Sequence, residues 1–216
     1  MDAEQQRLLV CTPCRAPLLE FVRFWEKRYF EDSDNVYTTE KRYTTNISRP
    51  HHSAETLTEL FKWKFGVFFF ALKTRTALEH NFLSKTDKAR DLPPDVSAVD
   101  FLQEYFPNGG AISRIFWLHC WHPDRYPVYD QHVHRAMVFI RDGRMDELNN
   151  YTDEEKIKRY LQCYVPFFKQ FAVGLPFDPE LDGVPGRKAD RALVTFGFKL
   201  KSKLFQETIA AFMPSA

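Results

Sequence analysis

Apolar residues at helical spacing, in runs that begin and end at recognisable signals, are the feature that most constrains the fold of this sequence. Ser53 precedes Leu57 and Leu60, which fall on one face of a helix that the serine can cap. Similar runs recur along the chain, whereas the strict alternation of a half-buried strand is scarce. The sequence therefore predicts an all-α protein.

The helical runs are separated by segments rich in turn-forming residues. Residues 37–52 are rich in Thr, Tyr and Arg and are predicted as a loop, with a short strand as the alternative, and residues 174–186 form a Pro- and Gly-rich loop. The predicted helices are residues 18–30, a helix that begins after Ser53, and residues 69–83, 97–105, 111–121, 129–140, 152–164 and 189–212.

Length and charge bound the class of protein. A chain of 216 residues suffices for a single compact domain, 1–216, with a real core. Thirty basic and 29 acidic side chains give a net charge of +1, so no overall field attracts nucleic acid. Any binding to a polyanion must therefore be local, and we expect a monomer.

The sequence favours a cytoplasmic protein without metal or cofactor. The longest apolar run, residues 65–72, is too short to span a bilayer, and the first residues have no signal-peptide character. Cys11 and Cys14 form a close pair, but Cys120 and Cys163 stand alone. A zinc or iron–sulfur site would need a second close pair, so these cysteines are predicted as ordinary thiols.

A glycine turn and an aspartate are the candidate functional residues of the sequence. Asn108-Gly109-Gly110 can form a tight turn between helices, and the first amides of the next helix could bind phosphate. About twenty residues later Asp130 falls at the first turn of an apolar helix that Pro127 would begin. Each feature alone fits a plain turn or a helix cap. Together they suit chemistry on a DNA phosphodiester chain or a nucleoside sugar.

The segment 105–140 resembles the helix-hairpin-helix base-excision DNA glycosylases. In endonuclease III-like members a Gly-x-Gly hairpin, a helix and a loop lead to Val-Asp-Thr-His-Ile-x-Arg. Here Val128-Tyr129-Asp130-Gln131-His132-Val133-His134-Arg135 supplies the aspartate, the histidine and the arginine, with Tyr129 as an extra residue. Residues 60–66 and 190–197 are similar to a bacterial group related to 8-oxoguanine DNA glycosylase. The resemblance touches residues 57–200 and is specific over 105–140.

The resemblance implies a fold, a partner and a mechanism. The fold would be a two-lobed helical bundle with the active-site cleft between the lobes. The partner would be double-stranded DNA with a damaged or modified base, either an oxidised purine in repair or a hypermodified phage cytosine in antiviral defence. Asp130 would be catalytic. It would stabilise the positive charge that develops on the sugar, and it would orient or deprotonate the attacking water.

Three departures from the family narrow the predicted activity. Asn108 replaces the first hairpin glycine, and the four-cysteine iron–sulfur loop is absent. Ile112 occupies the position of the lysine that bifunctional members use as a nucleophile, and no lysine lies between Lys88 and Lys156. Isoleucine cannot form a Schiff base. The sequence therefore predicts a monofunctional glycosylase, without AP-lyase activity.

Further residues are predicted to contact the DNA or the flipped base. The base pocket would need aromatic faces, although aromatic residues at helical spacing often belong to the core. Tyr126 and Tyr129 are expected to be the least buried, because they flank Asp130. The predicted DNA contacts are Asn108, Gly109, Gly110, Ala111, Ser113, Arg114 and Arg135, and the predicted base-pocket residues are Tyr126, Tyr129, Trp117, Phe167 and Trp63.

Two other functions stay open at this stage. The first is a helix-hairpin-helix protein that binds DNA without catalysis. The second is a metal-dependent hydrolase, since His119, His122, His132 and His134 crowd the same segment. The positions of His132 and Arg135 match residues that are structural in the glycosylase family.

Overall fold

The computed structural model describes residues 15–31, 36–49 and 52–202. Within these ranges every regular element is a helix and none is a strand, which confirms the all-α prediction. Cys11 and Cys14 lie outside the described residues. The α-helices are α1 (Arg15–Glu31), α2 (Val36–Ile47), α3 (Ala54–Phe65), α4 (Leu72–Asn81), α5 (Thr86–Arg90), α6 (Ala98–Asp100), α7 (Ala111–Trp121), α8 (Gln131–Asp142), α9 (Asp153–Arg159), α10 (Val165–Ala172), α11 (Pro179–Asp182) and α12 (Arg187–Lys199).

Short helical turns extend several of these elements. A 3₁₀ turn, Leu83–Lys85, joins α4 to α5, and another lies at Leu148–Asn150. A π-helical turn continues α6 over Phe101–Tyr105, and a second, Tyr160–Tyr164, joins α9 to α10. The chain therefore remains helical through the segment before Pro166, which falls in the first turn of α10, where proline is tolerated.

The predicted N-cap residues cap their helices in the structure. The Ser53 hydroxyl accepts a hydrogen bond from the Thr56 amide and caps α3. Thr152 forms a capping box with Glu155, so two free amides at the start of α9 are satisfied. Gly66 ends α3 in the left-handed region, with φ of 64°.

The prediction of a loop at 37–52 was wrong, because most of this segment is α2. Tyr43 and Ile47 are buried one turn apart, but Glu40 shares the buried face with them. The Arg187 guanidinium, from α12, pairs with that carboxylate at 2.7 Å. A buried charged residue interrupts the pattern of apolar residues on the buried face of a helix. Apolar periodicity therefore did not predict α2.

Other predicted boundaries need smaller corrections. The helix expected at 69–83 begins at Leu72 and ends at Asn81, because residues 67–71 form an exposed loop. The helix expected at 189–212 is α12, which ends at Lys199, and residues from 203 onward lie outside the described part of the chain. The loop expected at 174–186 contains the short helix α11.

The core is rich in aromatic side chains and is centred on α7. Phe116 and Trp117 of this helix are fully buried, and Phe61 of α3 packs against both rings. Elsewhere in the fold, α12 packs against α1 and α8. The only glycine in α12, Gly197, lies at the crossing with α8. This crossing fixes the position of the first turn of α8.

A buried ionic network joins α1, α2, α11 and α12. Arg187 pairs with Glu40 and Asp190, and Arg191 pairs with Glu40, Glu26 and Asp182. Burial raises the pKa of Glu40, but the Arg187 guanidinium outweighs this effect and lowers the pKa to about 2. Removing one charge would leave its partners buried and unpaired, so the network specifies how these four helices pack.

In the part of the chain that the structure describes, no helix combines the length and the apolar character that crossing a bilayer requires.

Candidate functional site

Asp130 is the N-cap of α8. Its Oδ1 accepts hydrogen bonds from the backbone amides of His132 at 2.8 Å and Val133 at 3.2 Å. The carboxylate therefore satisfies two of the free amides at the helix start and lies where the helix dipole favours a negative charge. The sequence placed Pro127 at the start of this helix. In the structure the helix begins at Gln131, and Pro127 lies upstream in the connecting loop.

Lys64 pairs with the same carboxylate. Its Nζ donates to Asp130 Oδ2 at 3.1 Å and to the Tyr129 carbonyl oxygen at 3.0 Å. The Lys64 side chain is 6% exposed and that of Asp130 is 26% exposed. The Lys64 side chain is thus almost enclosed by protein, whereas the Asp130 side chain is partly exposed.

No sequence motif assigns a role to Lys64. Its signal was a lysine on an apolar face, because Lys64 follows the buried Leu60 and Phe61 by four and three residues on α3. A lysine so placed needs a partner within the fold. Asp130 lies in the segment between Lys88 and Lys156, which contains no lysine. Its partner Lys64 precedes that segment, so the Asp130–Lys64 pair could not be predicted from neighbouring residues.

The surroundings keep Asp130 ionised. Burial raises the pKa of its carboxyl group, but the Lys64 ammonium, His132 and the Val133 amide outweigh burial and hold the pKa below its usual range. A carboxylate has about four acceptor positions. Contacts within the described residues occupy two on Oδ1 and one on Oδ2. Oδ2 therefore has one acceptor position without a hydrogen-bond partner among the described residues.

The close crossing of α12 and α8 at Gly197 holds the first turn of α8 in place. A Cβ on Gly197 would lie 2.6 Å from the carbonyl carbon of His132, in the first turn of α8. The Gly197 carbonyl oxygen also accepts a hydrogen bond from Arg135 Nη1 at 2.6 Å. Only glycine allows α12 this close to the turn that Asp130 caps.

The chain turns at Gly109, but an internal carboxylate binds the first amide of the helix that follows the turn. Gly109 has φ of 93°, a conformation that favours glycine, and a Cβ there would lie 2.8 Å from the Phe82 ring. Asn108, Gly109 and Gly110 are exposed. The Ala111 amide, however, donates to Asp153 Oδ2 at 3.0 Å. Ala111 is therefore corrected from a phosphate contact to part of an internal cap. Ser113 is half-buried on α7.

The two predicted DNA-binding arginines have internal partners instead. Arg114 is 9% exposed and donates to the carbonyl oxygens of Phe106 and Leu102, at the end of the π-helical turn. Arg135 is 1% exposed and forms a bidentate pair with Glu147, with N–O distances of 2.9 and 2.7 Å. Guanidinium groups buried in this way cannot reach a phosphate, so both predictions were wrong.

Most of the predicted base-pocket aromatics are core residues. Trp117 and Tyr129 are fully buried, and the Tyr129 hydroxyl pairs with His134 Nδ1 at 2.8 Å. Tyr126 is 8% exposed, so the expectation that Tyr126 and Tyr129 are the least buried was wrong. Trp63 packs on Tyr43 with ring centroids 4.3 Å apart. Phe167 is half-buried on α10, where it packs against Phe171.

The four histidines serve separate structural roles. His119 is buried between the Tyr43 hydroxyl and the Tyr126 carbonyl oxygen, and burial lowers its pKa to about 3. His134 contacts Asp146 at 3.4 Å, whereas His122 and His132 pack against other aromatic rings. Among the described residues, no three His, Cys, Asp or Glu side chains are arranged to hold a metal ion.

A cavity of about 410 Å³ opens at the far end of α7. Its lining includes Arg49, His52, Arg90 and Trp121, and Asp130 is not among the lining residues. This cavity is therefore not the pocket that the aspartate mechanism requires.

Comparisons of the chain with protein-family models, with curated proteins and with solved structures found no match. The candidate site is the Asp130–Lys64 pair at the start of α8. It consists of a partly exposed aspartate, whose pKa is held low, and a buried lysine paired with it.

Proposed function

We propose that this protein is a DNA glycosylase that hydrolyses the N-glycosidic bond of a damaged or modified base. One observation carries the proposal: Asp130 is held ionised, partly exposed, with an acceptor position left on Oδ2. That acceptor position gives the carboxylate a place for a reacting group. The resemblance over residues 105–140 supplies the reaction class.

Asp130 would act on the sugar and on water. Breaking the bond between the base and C1′ transfers the bonding electron pair to the base and leaves positive charge on the sugar. The ionised carboxylate stabilises that charge and orients a water molecule, whose oxygen then bonds to C1′. The attacking water loses one proton as its oxygen bonds to C1′ and the departing base takes up one proton, so the products are the free base and an abasic site.

Lys64 would position the carboxylate. Its ammonium fixes Oδ2, while the amides of His132 and Val133 fix Oδ1, so the carboxylate is oriented before substrate binds. A nucleophilic amine needs a lone pair. The Lys64 Nζ donates both to a carboxylate and to a carbonyl oxygen, so it is engaged in contacts within the protein. We therefore keep the proposal of a monofunctional enzyme that leaves the strand intact.

The proposal includes an arrangement of the helices and a substrate class. The helices would form two lobes with the Asp130 cleft between them, and the partner would be double-stranded DNA. The substrate would be either an oxidised purine or a hypermodified phage cytosine. A base pocket would have to be lined by residues other than the buried Trp117 and Tyr129.

Mass spectrometry of released bases tests the proposed reaction. The wild-type protein is incubated with oxidised DNA, with unmodified DNA and with modified phage DNA, and the free bases are identified. We expect one base class to be released by the wild type and not by the Asp130→Asn variant. If no DNA yields a free base, while the protein still binds duplexes, the catalytic proposal is wrong and DNA binding alone remains.

Borohydride treatment tests the absence of lyase chemistry. We expect no covalent protein–DNA adduct and no strand break before alkali, because Ile112 replaces the nucleophilic lysine and Lys64 is ion-paired. The measurement is denaturing electrophoresis of substrate duplex after base release has been confirmed. An adduct that disappears in Lys64→Met but persists in Lys62→Met would contradict this prediction and identify Lys64 as a nucleophile.

The pH profile of base release tests the role of Lys64. The ionised carboxylate is the active form, and its pKa is held low, so the wild-type rate should fall only below the usual range of an aspartate. In Lys64→Met the burial effect that raises the pKa is no longer offset by the ammonium. We expect the acidic limb to move to higher pH, with Lys62→Met as the matched control. A limb at the same pH in both variants would show that Lys64 does not set the charge of Asp130.

A further inference from the structure

The cavity at the far end of α7 is a concave site separate from the Asp130–Lys64 pair. Its volume of about 410 Å³ lies within the range of small-molecule pockets. Such pockets combine an apolar wall with a few polar groups, and this cavity has both. The lining residues are Ile47, Arg49, His52, Arg90, Cys120, Trp121 and Pro123. The cavity therefore has the size and the composition of a ligand site.

The charged groups in the cavity lining are two guanidiniums. Among the described residues, Arg49 and Arg90 line the cavity and no carboxylate does. Arg49 has no carboxylate partner in the described part of the chain, and its contact with the Thr56 hydroxyl is long, at 3.5 Å. Arg90 pairs with Asp87, whose side chain is 85% exposed, and an exposed pair of this kind is weak. Both guanidiniums therefore have donors left for an anion.

His52 lies close to both arginines but adds no charge of its own. Arg90 Nη2 donates to the His52 carbonyl oxygen at 3.5 Å. Burial has the largest effect on the pKa of the His52 ring and lowers it, the Cys120 backbone raises it, and Arg49 lowers it again. The net shift is downward, so the ring is neutral at pH 7. The positive charge of the lining therefore belongs to the arginines.

Trp121 is the aromatic residue of the cavity wall that can pack against a flat ring. Its indole packs edge-on against the His52 ring, with centroids 5.5 Å apart. The Trp121 Nε1 is buried and has no acceptor among the described residues, which is rare for a buried donor. Trp121 also ends α7, and the helix dipole disfavours an anion at that end. We therefore expect an anionic group beside the arginines and an apolar ring beside Trp121.

We propose that this cavity binds a small organic anion with a flat ring, whose phosphate or carboxylate group contacts Arg49 and Arg90 and whose ring packs against Trp121. Guanidinium groups bind both kinds of anion through paired hydrogen bonds, and an indole packs well against a flat ring. An acceptor atom on the ligand would supply the missing partner of the Trp121 Nε1 after a small rotation of the indole. The inference rests on the cavity alone and does not depend on the proposed glycosylase function.

Isothermal titration calorimetry with four matched probes tests the class of ligand. Adenosine monophosphate and adenosine-5′-carboxylate each combine a flat ring with an anion, whereas adenosine lacks the anion and inorganic phosphate lacks the ring. We expect at least one of the first two to bind more tightly than both adenosine and phosphate, and the tighter of the two identifies the anion. Absence of binding by both, or binding of adenosine or phosphate that is equally tight, would overturn the proposal.

Substitution of the arginines tests where the anion binds. Arg49→Met and Arg90→Met should each weaken binding of the tighter probe by at least about tenfold, because a charge-assisted hydrogen bond is lost. Both side chains are exposed, so thermal unfolding should confirm that the variants fold. Arg23→Met is the matched control, since Arg23 is an exposed arginine of α1 that does not line the cavity. Equal affinity in Arg49→Met, Arg90→Met and the control would contradict the proposal.

Tryptophan fluorescence, excited at a wavelength that the probes do not absorb, tests where the ring binds. The tighter probe should change the emission of the wild type, and Trp121→Phe should abolish most of this change. An undiminished change in Trp121→Phe would place the ligand outside this cavity. Asp130→Asn should bind the probe with wild-type affinity, because Asp130 does not line the cavity. Failure of this site and failure of the proposed reaction are therefore distinguishable.

Discussion

Asp130→Asn should lower the rate of base release by about 10²- to 10⁴-fold, the range expected when a group that acts directly on the reacting atoms is removed. The asparagine side chain keeps the size of the aspartate and has an oxygen that can still accept from the His132 and Val133 amides. It lacks the negative charge that the sugar cation needs. Single-turnover kinetics with the base identified by mass spectrometry would measure the effect.

The fold should survive this substitution with some loss of stability, because the buried Lys64 ammonium loses its carboxylate partner and keeps its contact with the Tyr129 carbonyl oxygen. Asparagine caps helices about as well as aspartate, so α8 should begin at the same residue, and thermal unfolding would check this. Asp124→Asn is the matched control, because Asp124 is exposed in the same loop and has no role in the proposed reaction. A variant that releases base at the wild-type rate would show that the Asp130 carboxylate is only a helix cap.

Gly197→Ala should destabilise the protein by about 1–3 kcal/mol, the usual cost of forcing an extra carbon into a packed interior. Helix propensity alone predicts the opposite sign, because alanine in a helix is favoured over glycine by about 1 kcal/mol. The steric effect should win here. The added carbon would lie 2.6 Å from the carbonyl carbon of His132, and a backbone group cannot move away as a flexible side chain would.

Urea unfolding would measure this effect, with Gly66→Ala as the control. Gly66 has no neighbour within 4 Å of an added Cβ, so its variant bears only the left-handed backbone penalty of about 1–2 kcal/mol. Gly197→Ala should also displace the first turn of α8, and with it the contact between Asp130 and Lys64. An increase in stability for Gly197→Ala would show that α8 and α12 can separate without loss.

Local signals sufficed to predict much of the fold. Ser53 and Thr152 start helices in the structure as they do in the sequence, and α7 spans the predicted residues 111–121. These helices depend on capping groups and apolar stripes that are close together in the chain. The helix α2 was missed because its buried face includes Glu40, whose partner Arg187 is 147 residues away. A buried charge resembles a surface residue until its partner is known.

The site was predictable in part for the same reason. Asp130 could be found from its place at the start of a helix, since a cap acts over three residues. Lys64 could not be matched to it, because 66 residues separate them. Arg114 and Arg135 were misassigned since an arginine in a DNA-binding motif and an arginine that bonds carbonyl or carboxylate oxygens inside the fold look alike in sequence.

The Asp153 carboxylate on the Ala111 amide has a consequence for how a polyanion would approach this protein. The Asp153 carboxylate already offsets the positive end of the helix dipole at the start of α7. A phosphate that approached the glycine turn would be repelled by this carboxylate and would have to displace it into water. Long-range attraction would therefore have to come from cations elsewhere on the surface, such as Lys73 and Arg75, which are exposed and have no carboxylate partner among the described residues. The first contact between the protein and DNA would then take place at those cations. The glycine turn would contact the bent DNA strand through its shape.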